Sequence, residues 1–408
     1  MIINIKETQY MNTVRLTVDK TYNFITLFTP STGGYARTSI LPAASIENIL
    51  RKFKEDVNKD LDGCINYMIE QDMKYGNNND SFMASYPHLL NIGIMGHCSN
   101  KEKCYLCYQD SKSIGDDMSL ETYKKIIDQS KDSLFNVILG GAGNPNEHPD
   151  FEAICKYTKD NGITTNYTTQ GELLTDDQVI ITKKYCDTVS VSMYEQDANF
   201  KALDMFMKAD CTTNIHWVLS KETLPKILRF LNGEDVWNGR VDLNKLNSVI
   251  FLLFKPFGRG KDYKHLIIKN DDEMKKFVDI LSNPSDFIEK VFNINIGMDS
   301  CMVPFIIMND NKILMDSIDT CEAGRYSAYI SHDNYLLPCN SDITTRKYAV
   351  NLNDKSIREA WKSDLFDDFR KSLRNSCPNC RKRDNCMGGC PLSEEIVDCK
   401  DLIRKFDV

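Results

Sequence analysis

The chain has 408 residues, enough for about two or three domains and for a full hydrophobic core without covalent staples. Lys plus Arg number 50 against 58 Asp plus Glu, a net charge of −8, so the broad positive field of a nucleic-acid binder is absent. No apolar run is long enough to span a bilayer, and the amino terminus carries no apolar signal core. The expectation is a cytoplasmic protein with neither nucleic acid nor membrane as partner. The unusual feature is 15 cysteines, odd in number and clustered. In a long chain without an export signal they point away from a disulfide framework and towards metal or redox chemistry.

In chain order, residues 1–86 read as a small α+β unit. Alternating apolar residues over 13–18 and 24–28 predict strands, with a turn at 31–34. Ser45 reads as an N-cap, followed by Ile46, Ile49, Leu50 and Phe53 at helical spacing, and a second amphipathic stretch covers 61–73. The polar run 76–81 reads as a linker. From His88 the pattern becomes strand, loop, helix, repeated. Strands are expected at 89–94, 135–139, 163–168, 188–193, 213–219 and 249–254, with helices between them, for example at 120–129 and 151–160. This alternation predicts an α/β fold with a parallel sheet, a partial (β/α)6 TIM-like barrel over residues 87–293 with its site at the C-terminal ends of the strands. Beyond 294 the rhythm breaks down into a cysteine-rich segment, 294–408, with one helix expected over 356–373.

Cys98, Cys104 and Cys107 lie just after the first barrel strand, spaced C-x5-C-x2-C. Three thiolates on one loop can hold three irons of a cubane cluster and leave the fourth open, or belong to a zinc knuckle with a distant fourth ligand; thiolates suit both. In its setting the loop resembles the cluster loop of the radical S-adenosylmethionine enzymes, whose usual spacing has a first gap two residues shorter. The second strand ends in Gly140-Gly141-Ala142, which resembles that family's glycine-rich stretch that receives the methionine amino group; the family's Glu is absent. The resemblance extends to the turn at Gln170 after the third strand, and to Ser190 and Ser192 on the fourth. It implies that these residues contact S-adenosylmethionine. Arg259, in the turn after the sixth strand, could bind a carboxylate or simply sit in solvent.

The C-terminal segment holds Cys321, Asn334, Cys339, then Cys377, Cys380, Cys386, Cys390 and Cys399. This is C-x12-N-x4-C, gap, C-x2-C-x5-C-x3-C, gap, C, and it resembles the SPASM domain with Asn334 in place of its Gly. The resemblance implies two auxiliary 4Fe–4S clusters, one on Cys321, Cys339 and Cys390, the other on Cys377, Cys380, Cys386 and Cys399. With the radical cluster that makes three. Cys301 is the upstream candidate for the fourth ligand of the first auxiliary cluster, the alternatives being an open iron or an inert buried thiol. Cys64, Cys155, Cys186 and Cys211 read as small core residues.

The family resemblance implies reductive cleavage of S-adenosylmethionine to a 5′-deoxyadenosyl radical, with electrons from a donor such as flavodoxin or ferredoxin. It implies a maturase acting on a ribosomally made precursor peptide and forming a side-chain crosslink, either a thioether or a carbon–carbon cyclophane. Residues 1–86 are then a candidate leader-docking unit, against the alternative of a structural cap. The other readings are a formylglycine-generating sulfatase-maturating enzyme, a peptide epimerase and a non-catalytic iron–sulfur carrier.

Overall fold

The computed structural model describes residues 2–5, 14–29, 34–38, 40–57, 59–76, 83–100, 104, 106–282, 294–309, 320–375, 386, 389–393, 395 and 396. Six strands run parallel in chain order: β5 (Leu89–Met95), β6 (Asn136–Gly141), β7 (Thr164–Thr169), β8 (Thr188–Ser192), β9 (Thr213–Leu219) and β10 (Ser248–Leu253). They match the expected strands to within a residue or two. The connecting helices are α3 (Leu120–Ser130), α4 (Phe151–Asp160), α5 (Asp176–Tyr185), α6 (Asp197–Lys208) and α7 (Leu224–Leu231). Helix starts are set locally. Ser119 and Thr175 accept the amides of Thr122 and Gln178, leaving fewer orphan donors at those ends.

The period-two alternation divides each strand between two environments. Val189, Val191, Ile215, Trp217, Leu219, Val249 and Phe251 pack under the helices in the main core. Many of their neighbours on the other face are polar. Asn166 Nδ2 donates to Asn136 Oδ1 (3.0 Å), Thr188 Oγ1 to Asn166 Oδ1 (2.9 Å), and Ser248 Oγ to Asn214 Oδ1 (2.7 Å). This ladder pairs side-chain amides and hydroxyls near the N-terminal ends of the strands. Higher up, Thr168 on β7 and His216 on β9 meet at 3.4 Å across β8, so the polar face is the concave one.

The sheet continues past the six strands. β11 (Asn295–Met298) adds in parallel to β10, and β12 (Ser327–Ile330) adds in parallel to β5 and leads into the antiparallel β13 (Tyr335–Leu337) and β14 (Val350–Asn351). The break in rhythm expected at 294 is therefore not a break in the sheet. These strands are only two to four residues long, too short to show a period. The single helix expected over 356–373 is two, Ile357–Trp361 and Asp364–Asn375, the first capped by Ser356. Asn334 adopts a φ of +66°, the left-handed turn that a Gly would otherwise take.

The N-terminal residues form an antiparallel sheet in the order β1 (Ile2–Ile5), β2 (Val14–Asp19), β3 (Phe24–Thr29), β4 (Gly34–Arg37), followed by α1 (Ala43–Asp56) and α2 (Leu61–Tyr75). α1 starts two residues before Ser45, which is buried inside it. Pro42, Ala43 and Ala44 favour an earlier start, because proline's fixed φ suits a helix entry and alanine has the best helix propensity. The expected turn at 31–34 and linker at 76–81 lie mostly outside the described residues. The sheet packs on the N-terminal ends of the barrel strands. Arg15 Nη1 donates to Phe135 O (2.8 Å), Phe28 stacks on Phe135 with centroids 5.6 Å apart, and Phe24 meets His88 and Tyr326. Arg37 pairs with Glu322, and its guanidinium lies 3.6 Å over the Tyr326 ring.

Candidate functional site

The cysteine loop leaves β5 at the opposite end of the barrel. Cys98 N donates to Lys112 O (2.8 Å), closing the loop on its own return. The turn after β10 clamps it from the side. Arg259 N donates to Cys107 O (3.0 Å), Nε to Cys104 O (3.1 Å) and Nη1 to Ser111 O (2.7 Å). Gly258 has a φ of +52°, and a Cβ there would lie 2.6 Å from the carbonyl oxygens of Cys107 and Tyr108. Arg259 is thus neither a free carboxylate binder nor a solvent residue: its fork matches loop carbonyls that the sequence does not reveal.

The thiols of Cys104 and Cys107 share a hydrogen bond. Cys104 donates it, and with a contact to Ser111 this outweighs burial and holds Cys107 down to about 5; the same bond, together with burial, pushes Cys104 up. Cys107 Sγ lies 3.3 Å from Ser111 Oγ. Burial raises Cys98, opposed by the amide of Asn100.

The second strand ends beside this loop. A Cβ on Gly141 would meet Met95 O at 2.5 Å, and its φ is +118°, so only glycine fits there. A Cβ on Gly140 would meet nothing within 4 Å: its Cα faces open space. Ala142 N donates to Met95 O (2.8 Å). Glu147 joins the two segments, its Oε1 accepting from Ser99 Oγ (2.9 Å) and Asn144 Nδ2 (2.6 Å). Gln170 does the same from β7: its side-chain oxygen accepts from Asn100, its amide N donates to Asn144 Oδ1 (2.9 Å), and its carbonyl accepts from Asn199 (2.8 Å). In the structure Gln170 braces the cysteine loop. Ser190 and Ser192 alternate with core residues Val189 and Val191, which puts both on the concave face; Ser192 is in register with His216.

Four C-terminal cysteines form a second group. Cys301 follows β11, Cys321 precedes β12, Cys339 follows β13, and Cys390 comes from the chain end. Burial raises the first well above its ordinary value, Cys321 to about 12 and Cys390 to about 11. Each is raised further by its neighbours: Cys301 by Cys321 and Cys390, Cys321 by Cys339 and Cys390, Cys390 by Cys339. In so dry a site these thiols stay neutral, and as thiolates they would need a cation beside them.

A backbone feature recurs at both groups. The amide two residues on donates to the sulfur at Cys98 (Asn100), Cys107 (Gln109), Cys321 (Ala323), Cys339 (Ser341, 3.4 Å) and Cys390 (Leu392). Such donors favour a charged, metal-bound sulfur. Cys64, Cys155 and Cys211, by contrast, lie in hydrophobic cores. Cys386 is half-buried, and Cys377, Cys380 and Cys399 lie outside the described residues. Among the described residues no three His, Cys, Asp or Glu side chains could hold a single metal ion.

Between the two groups stand residues that periodicity does not single out. Tyr108 hydroxyl accepts from Asn340 Nδ2 (3.0 Å), next to Cys339. Tyr194 is hydrogen-bonded to Cys104. Lys255 Nζ lies 3.2 Å from Asp299 Oδ2. Burial works against its charge, but Cys301 and Asp299 outweigh it and raise Lys255 well above its ordinary value. His216 is held neutral, down to about 4, by burial and by the Lys255 charge. His97 Nδ1 meets Asp117 (3.1 Å), and Glu222 is exposed.

Residues 321–387 match the model of the SPASM iron–sulfur cluster-binding domain. A curated relative, the tungsten-containing aldehyde ferredoxin oxidoreductase cofactor-modifying protein of Pyrococcus furiosus, is 20% identical over 73% of this chain and 88% of its own length. Streptococcus suis SuiB bound to precursor peptide SuiA superposes with a TM-score of 0.67 at 15% identity, over 96% of this chain and 95% of that one. The protein anSMEcpe with bound AdoMet gives 0.54 at 15% identity, over 79% of this chain and 93% of that one. No helix among the described residues is long and apolar enough to cross a membrane. With a six-stranded parallel barrel and a matched C-terminal domain, the chain has the fold of the radical S-adenosylmethionine enzymes and carries a SPASM domain.

Proposed function

We propose that this protein is a radical S-adenosylmethionine enzyme that modifies a ribosomally made precursor peptide by forming a side-chain crosslink. The observation that carries the reading is the pairing of two cysteine groups: the Cys98–Cys104–Cys107 loop beside the open face of Gly140 at the C-terminal ends of the strands, and the cysteines 301, 321, 339 and 390, linked to that loop through the Asn340–Tyr108 hydrogen bond. Cys98, Cys104 and Cys107 would hold the radical cluster. Cys301, Cys321, Cys339 and Cys390 would hold the first auxiliary cluster, and Cys377, Cys380, Cys386 and Cys399 the second. The division is residues 1–86, 87–293 and 294–408. When bound, these groups supply a hydrogen-abstracting deoxyadenosyl radical and an acceptor for the second electron that a crosslink releases.

The chain's own residues shape where that chemistry happens. Gly140 leaves room for a ligand's backbone-like end, and strand-end carbonyls offer acceptors to an ammonium group. Ser190, Ser192 and neutral His216 put hydroxyls and an uncharged ring on the concave face. The asparagine ladder satisfies the polar groups beneath them. Lys255 and Asp299 place a fixed ion pair between the two cysteine groups, where a peptide would cross. SuiB, described as bound to a precursor peptide, supports the peptide substrate; the sulfatase-maturase reading draws its support from anSMEcpe. Co-expression with a short Cys- or aromatic-rich peptide encoded nearby tests both by mass. A product lighter by two hydrogen atoms supports the crosslink. Replacement of a Cys sulfur by oxygen in a carbonyl supports the other, and an unchanged peptide contradicts the maturase.

A further inference from the structure

Arg259 has three guanidinium nitrogens and only two are used. Nε and Nη1 donate to the carbonyls of Cys104 and Ser111, while Nη2 is buried with no hydrogen-bond partner among the described residues. Asp110 stands 3.7 Å from Nη1 with a side chain 58% exposed, so water screens that pair. A buried donor left unmade costs about 1–3 kcal/mol, and arginine's rigid planar fork cannot swing one nitrogen away without losing the other two bonds. The guanidinium also acts on the loop's thiols, its charge lowering both Cys98 and Cys104. Cys107 is bound through the Arg259 backbone amide. All three cysteines of the loop are therefore within reach of this one residue's charge or main chain.

We propose that Arg259 is the electrostatic partner of the radical cluster: Nη2 donates to a sulfur of the cluster held on Cys98, Cys104 and Cys107, and its permanent charge favours the reduced form. The proposal rests on the cluster assignment given above. Reduction adds one electron to the cluster, so a fixed positive charge beside it stabilises the product more than the reactant. Arg259 acts as a positioning and tuning residue, holding the loop with two nitrogens and setting the cluster's potential with the third.

The test is a redox titration of the reconstituted full chain followed by electron paramagnetic resonance. The radical cluster is recognised as the signal that shifts when S-adenosylmethionine is added. Arg259→Gln removes the charge and keeps a short amide donor; it should move the reduction equilibrium about tenfold towards the oxidised form, a midpoint about 59 mV more negative for one electron. Arg259→Lys keeps the charge and should move it less. A midpoint in Arg259→Gln equal to that of the parent overturns the proposal. If the glutamine variant does not load its cluster, the parent chain labelled with guanidino-15N arginine decides. A 15N coupling on the S-adenosylmethionine-sensitive signal supports the bond, and its absence overturns it. Should the parent show no such signal at all, the cluster assignment itself falls, which is a different failure from an unmoved midpoint.

Discussion

Asn340 Nδ2 donates to the Tyr108 hydroxyl at 3.0 Å, and each residue is the chain neighbour of a candidate cluster ligand, Cys339 and Cys107. Gln109 Nε2 donates to the same hydroxyl at 3.1 Å. One phenol oxygen therefore pins the barrel loop to the SPASM domain. Tyr108→Phe removes that oxygen and leaves two amide donors without it, at a cost of about 1–3 kcal/mol. The expected outcome is a lower Tm and looser coupling: more 5′-deoxyadenosine made per modified peptide. An unchanged ratio with a lower Tm would make the bond purely structural.

The two glycines of the β6 end separate a folding role from a binding role. Gly141→Ala forces a side chain onto a φ of +118° and against Met95 O, so it should lose roughly 1–3 kcal/mol of stability. Gly140→Ala meets no protein atom, so Tm should hold while affinity for S-adenosylmethionine falls. Thermal denaturation and equilibrium dialysis of the cluster-loaded variants check the pair. Equal affinity in Gly140→Ala and parent would remove Gly140 from the site.

Cys301 is predicted to complete the first auxiliary cluster. Cys301→Ala should leave that cluster short of a thiolate, lowering iron per chain after desalting while the loop cluster's S-adenosylmethionine-sensitive signal stays. Iron content equal to that of the parent would return Cys301 to the inert buried thiols.

His88 gives a pH dependence. Burial, helped by the Arg37 charge, holds it down to about 3, far below its ordinary 6.5. The unfolded chain then binds a proton below pH 6.5 that the folded chain refuses, so this contribution is complete above 6.5 and is lost as pH falls towards 3, at up to about 1.4 kcal/mol per pH unit. His88 packs between Phe24, Phe135 and Tyr326 at the seam of the N-terminal sheet. His88→Phe should flatten the acid limb of Tm against pH between 6.5 and 4. A parallel pair of curves would place the acid sensitivity elsewhere.

The N-terminal sheet sits on the far end of the barrel from the cysteine loop, which constrains the leader-docking reading. β5 alone is 7 residues long, about 23 Å at about 3.3 Å per residue. A leader held by residues 1–86 must cross at least that distance. Substrates with fewer than about seven residues between leader and target should lose modification while leader affinity is kept, as a spacer too short to span its sites allows no tethering. Modification that ignores spacer length would favour the cap. The shared packing of Phe24, Ala84 and Tyr326 makes surface substitutions on the sheet a cleaner probe than deletion.

The barrel was legible because burial writes a period into each strand: Val189 and Val191, or Ile215, Trp217 and Leu219, announce their faces. The SPASM segment was legible because its cysteines stand at fixed spacing. What escaped reading lies in long-range contacts. Arg259 meets Cys104 and Ser111 about 150 positions away, and nothing local marks its fork as spoken for. Asn136, Asn166 and Asn214 fall inside the expected strands, but no local pattern shows which side-chain partners the curved sheet brings beside them. β12 joins β5 across more than 200 residues, so its pairing leaves no local trace.

The most direct test of the central claim is cofactor cleavage by the anaerobically reconstituted chain. With dithionite and S-adenosylmethionine it should form 5′-deoxyadenosine, and it should contain iron and sulfide in equal amounts, about twelve irons per chain if all three clusters fill. Replacing Cys98, Cys104 and Cys107 together by Ala should abolish the cleavage and leave the auxiliary iron in place. Stoichiometric zinc without sulfide, or cleavage that survives the triple replacement, would contradict the account.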